Sequence, residues 1–272
     1  MLCEADLRSS ALRAPGQAIH AACAAADAGS RSLDLEALRR KRAEPPHTVR
    51  PSLRTPASPR LFYSPKATPE QLQLNNDIQA CASADAVLDL VSSRRAVFSG
   101  VNAATALTCI QRLAGKQAAW LKDDVRFAQL LSTTESLLES MAPRTLATVL
   151  YAVGQCGITP PADWLKRYWD ATLAKLSVFE PQGLSNTLYA CGKLSLTPPA
   201  SWLEIFWQAS ESKLTEFKPQ GLSNTLYACG QLSLTPPGFW LEHFWQASAP
   251  RLSEFNEQNL SNTLFACAHL DT

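Results

Sequence analysis

The chain has 272 residues, 46% of them hydrophobic, with seven Trp, eight Cys and a formal net charge of +1. That length allows one or two domains with a real core, and the near-zero charge gives no overall bias toward nucleic acid or a membrane surface. No apolar run approaches the ~18 residues of a membrane span. The cysteines form no CxxC pair, which argues against a disulfide framework of the kind found in small secreted chains.

Residues 1–69 show no sustained helical pattern. RSLDLEALRRKRAE (31–44) could form a short basic helix, and residues 45–69 hold seven Pro, four Lys/Arg and no acid. Proline fixes φ and removes backbone donors, so this stretch is expected to be an extended, disordered linker. An Arg/Ser/Ala-rich leader fits an organelle transit peptide, but Glu4, Asp6, Asp27, Asp34 and Glu36 fit a tail without targeting value equally well.

From residue 70 helical periodicity takes over. Leu72, Ile78, Val87, Leu88, Leu90 and Val91 fit two short helices, and AATALTCIQRLA (103–114) then aligns without gaps with LSNTLYACGKLS (184–195). It reads as an atypical first repeat, followed by a helix near 123–140. Adjacent Asp123 and Asp124 would point about 100° apart on a helix and read as a solvated helix start. Residues 70–142 are therefore expected to form a helical N-terminal cap.

The region 143–272 is periodic at 38 residues. Leu146, Leu184, Leu222 and Leu260 share one register, as do Tyr151, Tyr189, Tyr227 and Phe265. Pro161, Pro199 and Pro237 share another, with Trp164, Trp202 and Trp240 three residues on. The copies from 184 and 222 match at 27 of 38 positions, a self-similarity that marks repeat architectures. A fourth copy opens LSNTLFACAHL and reaches Thr272 before its Pro-Pro-x-x-Trp half, so the chain is expected to be a piece of a longer repeat protein.

Each repeat divides into two helices. Pro181 and Pro219 suit the first helical position, and Phe217 with Leu222 suits a hydrophobic staple. Asn256 followed by Glu257 supplies an N-cap with an acid beside it. The second helix begins after Pro-Pro and is expected to bury Trp202, Leu203, Phe206 and Trp207. Such a pair cannot cover its own apolar surface but stacked copies can, which predicts an all-α, superhelical solenoid. Cys191, Cys229 and Cys267 share the apolar side and are expected to be reduced core thiols.

Winding the first helix at 100° per residue separates two stripes. Leu184, Leu188, Cys191 and Leu194 form one. Gln182, Asn186, Tyr189 and Lys193 form the other, repeated as Gln220, Asn224, Tyr227 and Gln231, then as Gln258, Asn262, Phe265 and His269. This second stripe is expected to line the exposed surface, because the leucine side already faces the neighbours. Amides can read the Watson–Crick edge of an unpaired base and rings can stack on it. The row Gln155, Lys193, Gln231, His269 varies while its surroundings stay fixed, as a base-by-base reader requires. The Asn row could equally form a ladder between repeats, the Tyr row could pack on the next helix pair, and the variable row could be ordinary solvated surface. The repeat region is slightly acidic, with 8 Lys+Arg against 10 Asp+Glu over 143–272, so a shallow salt dependence is expected. No nucleotide-binding, nucleophile-elbow or zinc-protease motif is present and the four His are scattered, so no catalytic residue, metal site or cofactor is assigned.

The 38-residue unit, with L-x-N-x-L-Y-A in its first helix and Pro-Pro-x-x-Trp opening its second, resembles the octotricopeptide repeat. The likeness is close over 143–272 and looser over 72–114. Where that family typically has Pro-Pro-Pro-Glu-Trp, this chain has PPADW (160–164), PPASW (198–202) and PPGFW (236–240), so only the Pro pair and the Trp carry over. The resemblance implies an α-solenoid that binds single-stranded RNA in a chloroplast or, second, a mitochondrion, acting in transcript stability, processing or translation. It also implies partners within an organelle ribonucleoprotein complex. A protein-interaction scaffold built from helical pairs is the other class of function open to such a chain.

Overall fold

The structure, a computed structural model, describes residues 67–270. The basic helix expected at 31–44 and the linker through residue 66 lie outside the described residues. Eleven α-helices follow in chain order with no strand among the described residues. They are α1 (Pro69–Ala80), α2 (Ala84–Ser93), α3 (Gly100–Ala114), α4 (Val125–Leu137), α5 (Pro143–Cys156), α6 (Ala162–Leu173), α7 (Pro181–Leu194), α8 (Ala200–Glu211), α9 (Pro219–Leu232), α10 (Gly238–Ser248) and α11 (Glu257–His269). Odd-numbered helices pack against the next odd-numbered helix and even against even, making two layers. This is an all-α solenoid.

Local signals place the helix ends. Thr68 and Gln71 form a capping box before Pro69, so the helical region begins at the last proline of the expected linker. Pro143, Pro181 and Pro219 each occupy the first turn of α5, α7 and α9 with no side-chain cap. There Phe179 and Phe217 are buried just before the helix, with Leu184 and Leu222 buried inside it, the two ends of a hydrophobic staple. At α11 Asn256 caps the helix, accepting from Asn259 N at 2.9 Å. Asp124 starts α4, accepting from the amides of Arg126 and Phe127, while Arg126 also reaches Asp85 and Asp89 at 2.7 Å. The Arg126 guanidinium holds the Asp124 carboxyl below its usual range. The atypical repeat is also explained. A 3-10 segment, Gly115–Asp123, leads from α3 toward α4, whereas the regular repeats turn through a short Pro-Pro loop such as residues 195–199.

The two layers are held differently. The first helices approach through a column of small residues at the same register. A Cβ added to Gly154 would sit 3.0 Å from Ala190 Cβ, one on Gly192 3.1 Å from Ala228 Cα, and one on Gly230 3.0 Å from Ala266 Cα. The second helices meet through rings, in an unbroken series from Trp164 and Tyr168 through Trp202 and Phe206 to Trp240, Phe244 and Trp245 at centroid distances of 5.0–5.3 Å. Trp202, Phe206 and Trp207 are buried as expected, but Leu203 is only half-buried. In α1 the buried residues are Leu74 and Ile78, and Leu72, about 200° round the helix from Leu74, is 57% exposed.

A third device was not legible as a motif. Lys175, Lys213 and Arg251, at 38-residue spacing, reach back to the turn of the preceding repeat. Lys175 Nζ donates to the carbonyls of Glu139 (2.6 Å) and Met141 (2.8 Å), Lys213 Nζ to those of Ser177 (2.8 Å) and Phe179 (2.6 Å), and Arg251 Nη1 to that of Phe217 (2.8 Å). These carbonyls end 3-10 turns and have no helical partner, so a cation from the next repeat satisfies them.

The glycine column generates a stability prediction. Gly192→Val places a branched side chain against Ala228 with no room for it, and overpacking of this kind costs about 1–3 kcal/mol. Chemical denaturation of the purified variant should show the lowered midpoint, while Gly157→Asn, at a left-handed helix end with no atom near its Cβ position, should stay close to the parent.

Candidate nucleic-acid interface

The first-helix layer has an inner side and an outer side. Leu184, Leu188, Cys191, Leu222, Leu226 and Cys229 are at most 1% exposed and belong to the core. Cys81, Cys109, Cys156, Cys191 and Cys229 are free thiols, and burial raises the pKa of Cys156 to about 11 and those of Cys191 and Cys229 further. Cys267, in the last helix, is only half-buried.

The outer stripe separates into three environments. Gln182, Gln220, Gln258, Lys193, Gln231 and His269 are exposed. Asn186, Tyr189, Tyr227 and Phe265 are half-buried. Asn224 and Asn262 are buried, and Asn262 Nδ2 donates to Asn224 Oδ1 at 3.3 Å while its own Oδ1 accepts from Gln258 Nε2 at 2.8 Å. The expectation that the whole stripe is exposed is thereby corrected. A helix inside a solenoid layer has a neighbour on each flank as well as beneath it, so positions 224 and 262 fall in the seam between first helices.

The rings form a column of their own. Tyr151, Tyr189, Tyr227 and Phe265 follow one another at centroid separations of 6.3, 6.1 and 5.0 Å, tilted by 32–45°. Phe265 continues onto the His269 ring at 4.0 Å. Burial, with the neighbouring phenols, raises the pKa of Tyr189. The rings therefore pack on one another and offer edges and hydroxyls; the Tyr227 hydroxyl accepts from Gln231 Nε2 at 2.9 Å.

Open clefts run between successive first helices. The one between α7 and α9, about 590 Å³, is lined by Gln182, Asn186, Gln220, Asn224, Lys218 and Tyr151 among others. The one between α5 and α7, about 270 Å³, shares Gln182 and Asn186 and adds Arg144 and Thr148. The one between α3 and α5, about 620 Å³, is lined by Arg112, Arg144, Thr105, Thr108 and Thr148, with no acidic residue. Arg144 and Thr148 stand 38 residues before Gln182 and Asn186, and Arg112 takes the position of Lys193 in the ungapped alignment. Sequence reasoning missed these three, although the repeat register would have found them by asking what the less similar copies place in the same rows.

Packing and surface roles within the stripe can be separated by mutation. Asn224→Ala leaves the Asn262 amide without its acceptor in a buried seam and should cost about 1–3 kcal/mol. Gln220→Ala, one turn away and exposed, should stay within about 0.5 kcal/mol of the parent. Equal effects of the two in urea titrations would mean that the seam contributes nothing.

No described helix is long and apolar enough to cross a membrane. No curated protein matches the chain. The family model described as the Tbc2 translation factor, N-terminal domain, matches residues 76–272, which include the C-terminal end of α1, the atypical repeat and all the 38-residue copies. With that match spanning well over half of its length, the chain belongs to the family of the Tbc2 translation factor N-terminal domain.

Proposed function

We propose that the outer side of the first-helix layer binds single-stranded RNA, and that this binding serves translation or another step of RNA metabolism in an organelle. The observation that carries the reading is the row of clefts between first helices, contiguous through shared residues, in which amides, hydroxyls and the arginines Arg112 and Arg144 stand beside apolar groups, with Glu180 and Glu216 at the clefts flanking α7. The strand crosses the layer one repeat at a time. Gln182, Gln220, Gln258 and Asn186 offer hydrogen bonds to base edges, and the variable row Gln155, Lys193, Gln231 and His269 distinguishes one repeat from the next. Tyr189 and Tyr227 contribute ring edges and hydroxyls and Phe265 a ring edge, and the buried Asn224 and Asn262 hold neighbouring readers in register. Arg112 and Arg144 take phosphates. The activity is binding, with no catalytic step, cofactor or metal. The family's name, a translation factor, supports the assignment to translation. The resemblance to octotricopeptide repeats and the basic, acid-free stretch 45–69 support import into the chloroplast before the mitochondrion.

Two experiments test this reading. In gel-shift assays with pooled single-stranded RNA, replacing Lys193 and Gln231 together by Ala should leave the fold intact and alter base preference at two neighbouring nucleotides. Arg112→Gln with Arg144→Gln should weaken binding to all sequences and flatten the log–log salt slope by about 0.7 for each phosphate no longer neutralised. Unchanged RNA binding in both sets would favour a protein-interaction scaffold. A fluorescent reporter fused behind residues 1–70 should enter plastids; a reporter that stays in the cytosol would remove the import assignment.

A further inference from the structure

The cleft between α3 and α5 departs from the rest of the row. The stripe positions themselves line it, but with other residue types. On α5, Arg144 and Thr148 stand where α7 has Gln182 and Asn186. On α3, Val101, Thr105, Thr108 and Arg112 stand where α7 has Gln182, Asn186, Tyr189 and Lys193. Neither α1 nor α3 contains an aromatic residue, so the ring column begins at Tyr151. The cations of this cleft are also unneutralised. Arg94, Arg126, Arg167 and Arg251 each pair with a carboxylate. Among the described residues no carboxylate pairs with Arg112 or Arg144, and the Arg112 guanidinium reaches the Cys109 sulfur at 3.9 Å. The hydroxyls of Thr108 and Thr148 donate to the carbonyls of Ala104 and Arg144 at 2.7 and 2.9 Å, which leaves those of Thr105 and Thr145 to serve the cleft.

We propose that this cleft takes a terminal phosphomonoester, the phosphorylated end of the strand whose bases lie along the helices from α5 onward. The inference rests on the reading of the first-helix layer as an RNA surface and adds which part of the strand fills the α3/α5 cleft. A backbone diester has one negative charge and two unesterified oxygens. A terminal phosphate has three such oxygens and about 1.5 to 2 negative charges at pH 7, with a second pKa near 6. Guanidinium groups stay charged at any working pH, and their fork matches phosphate oxygens in pairs. Two of them without counter-charge balance one dianion, and the Thr105 and Thr145 hydroxyls donate to its remaining lone pairs. The clefts flanking α7 hold Glu180 and Glu216, where a dianion would be repelled. A strand continuing beyond this cleft toward α1 would find no ring and, at the register of Gln182, the apolar Val101, which is 53% exposed. A strand that ends here sets its phosphate between two arginines.

The test uses the full-length chain and short random-sequence pools of single-stranded RNA with an internal fluorophore. The pools end in a 5′ phosphate, in a 3′ phosphate, or in hydroxyls at both ends. At fixed ionic strength, fluorescence anisotropy should show one phosphorylated pool binding about tenfold more tightly than the hydroxyl pool. The end that gains fixes the direction in which the strand crosses the repeats. Lowering the pH from about 7.5 to about 5.5 should shrink the gain, because the monoester takes up its second proton near pH 6 while the diesters do not change. Arg112→Gln with Arg144→Gln should remove the gain at unchanged Tm, since both side chains are exposed. Lys193→Ala with Gln231→Ala should keep it. Equal binding of the three pools overturns the proposal and leaves RNA binding in place, as does a gain that survives the double arginine variant. An equal gain for the two ends would mark attraction to added charge and overturn it too. Failure of every pool to bind removes the RNA reading and this inference with it.

Discussion

The structure depends on a donor that cannot be left unpaired. Each second helix drives a tryptophan into the core, and an indole N–H taken out of water must find an acceptor there. It finds one in the preceding repeat: the carbonyl of Leu131 for Trp164, then the hydroxyls of Thr172 and Ser210 for Trp202 and Trp240. The acceptor hydroxyls are themselves held by carbonyls one turn back, those of Tyr168 and Phe206. Burying the largest side chain thus commits a repeat to its predecessor, and the solenoid becomes a chain of nearest-neighbour commitments.

Around that bond the two layers divide the labour by residue size. Rings fill the second-helix layer, while Gly and Ala draw the first helices close enough for backbone to approach side chain. The close approach creates the seam in which Asn224 and Asn262 pair and on which the tyrosine column stands. Lys175, Lys213 and Arg251 close the outer turns. Burial by the neighbouring repeat lowers the pKa of Lys175 and Lys213, so desolvation opposes the charge even as the turn carbonyls receive it. Two lysines and an arginine serve one position because the site needs a donor with reach and not one particular geometry.

Much of this was legible in the sequence. The period, the proline-marked helix starts, the Trp register and the inward Leu/Cys side follow from local chemistry that repeats unchanged. What the 100° winding could not supply is the number of neighbours a helix has. A helical wheel divides residues into an inside and an outside, whereas a first helix of a layer has two flanks as well. Asn224, Asn262 and the Tyr column lie on those flanks, and their burial depends on how closely the next repeat approaches. The cation latch was hidden for a different reason: an isolated Lys in a polar turn looks like surface, and only its carbonyl partners 34 to 36 residues earlier distinguish it. Arg112 and Arg144 were hidden because the best-matched copies carry Lys193 and Gln182 in their places.

The ring column also constrains how an RNA could lie on this surface. Stacked bases in a helical strand advance about 3.4 Å per nucleotide. Successive rings here are 5.0–6.3 Å apart and already touch one another, so a base cannot enter between them without parting two repeats. A strand read one base per repeat must therefore be pulled out of its own stacking and laid along the ring edges, with each base edge turned toward an amide. On the proposed reading, such a surface would reject a duplex, whose bases are paired and closely spaced, and would take a single strand whose bases have been splayed. The ring spacing is set by the Gly and Ala contacts within the layer, so under the proposed function the residues that pack the solenoid would also fix the step at which it reads.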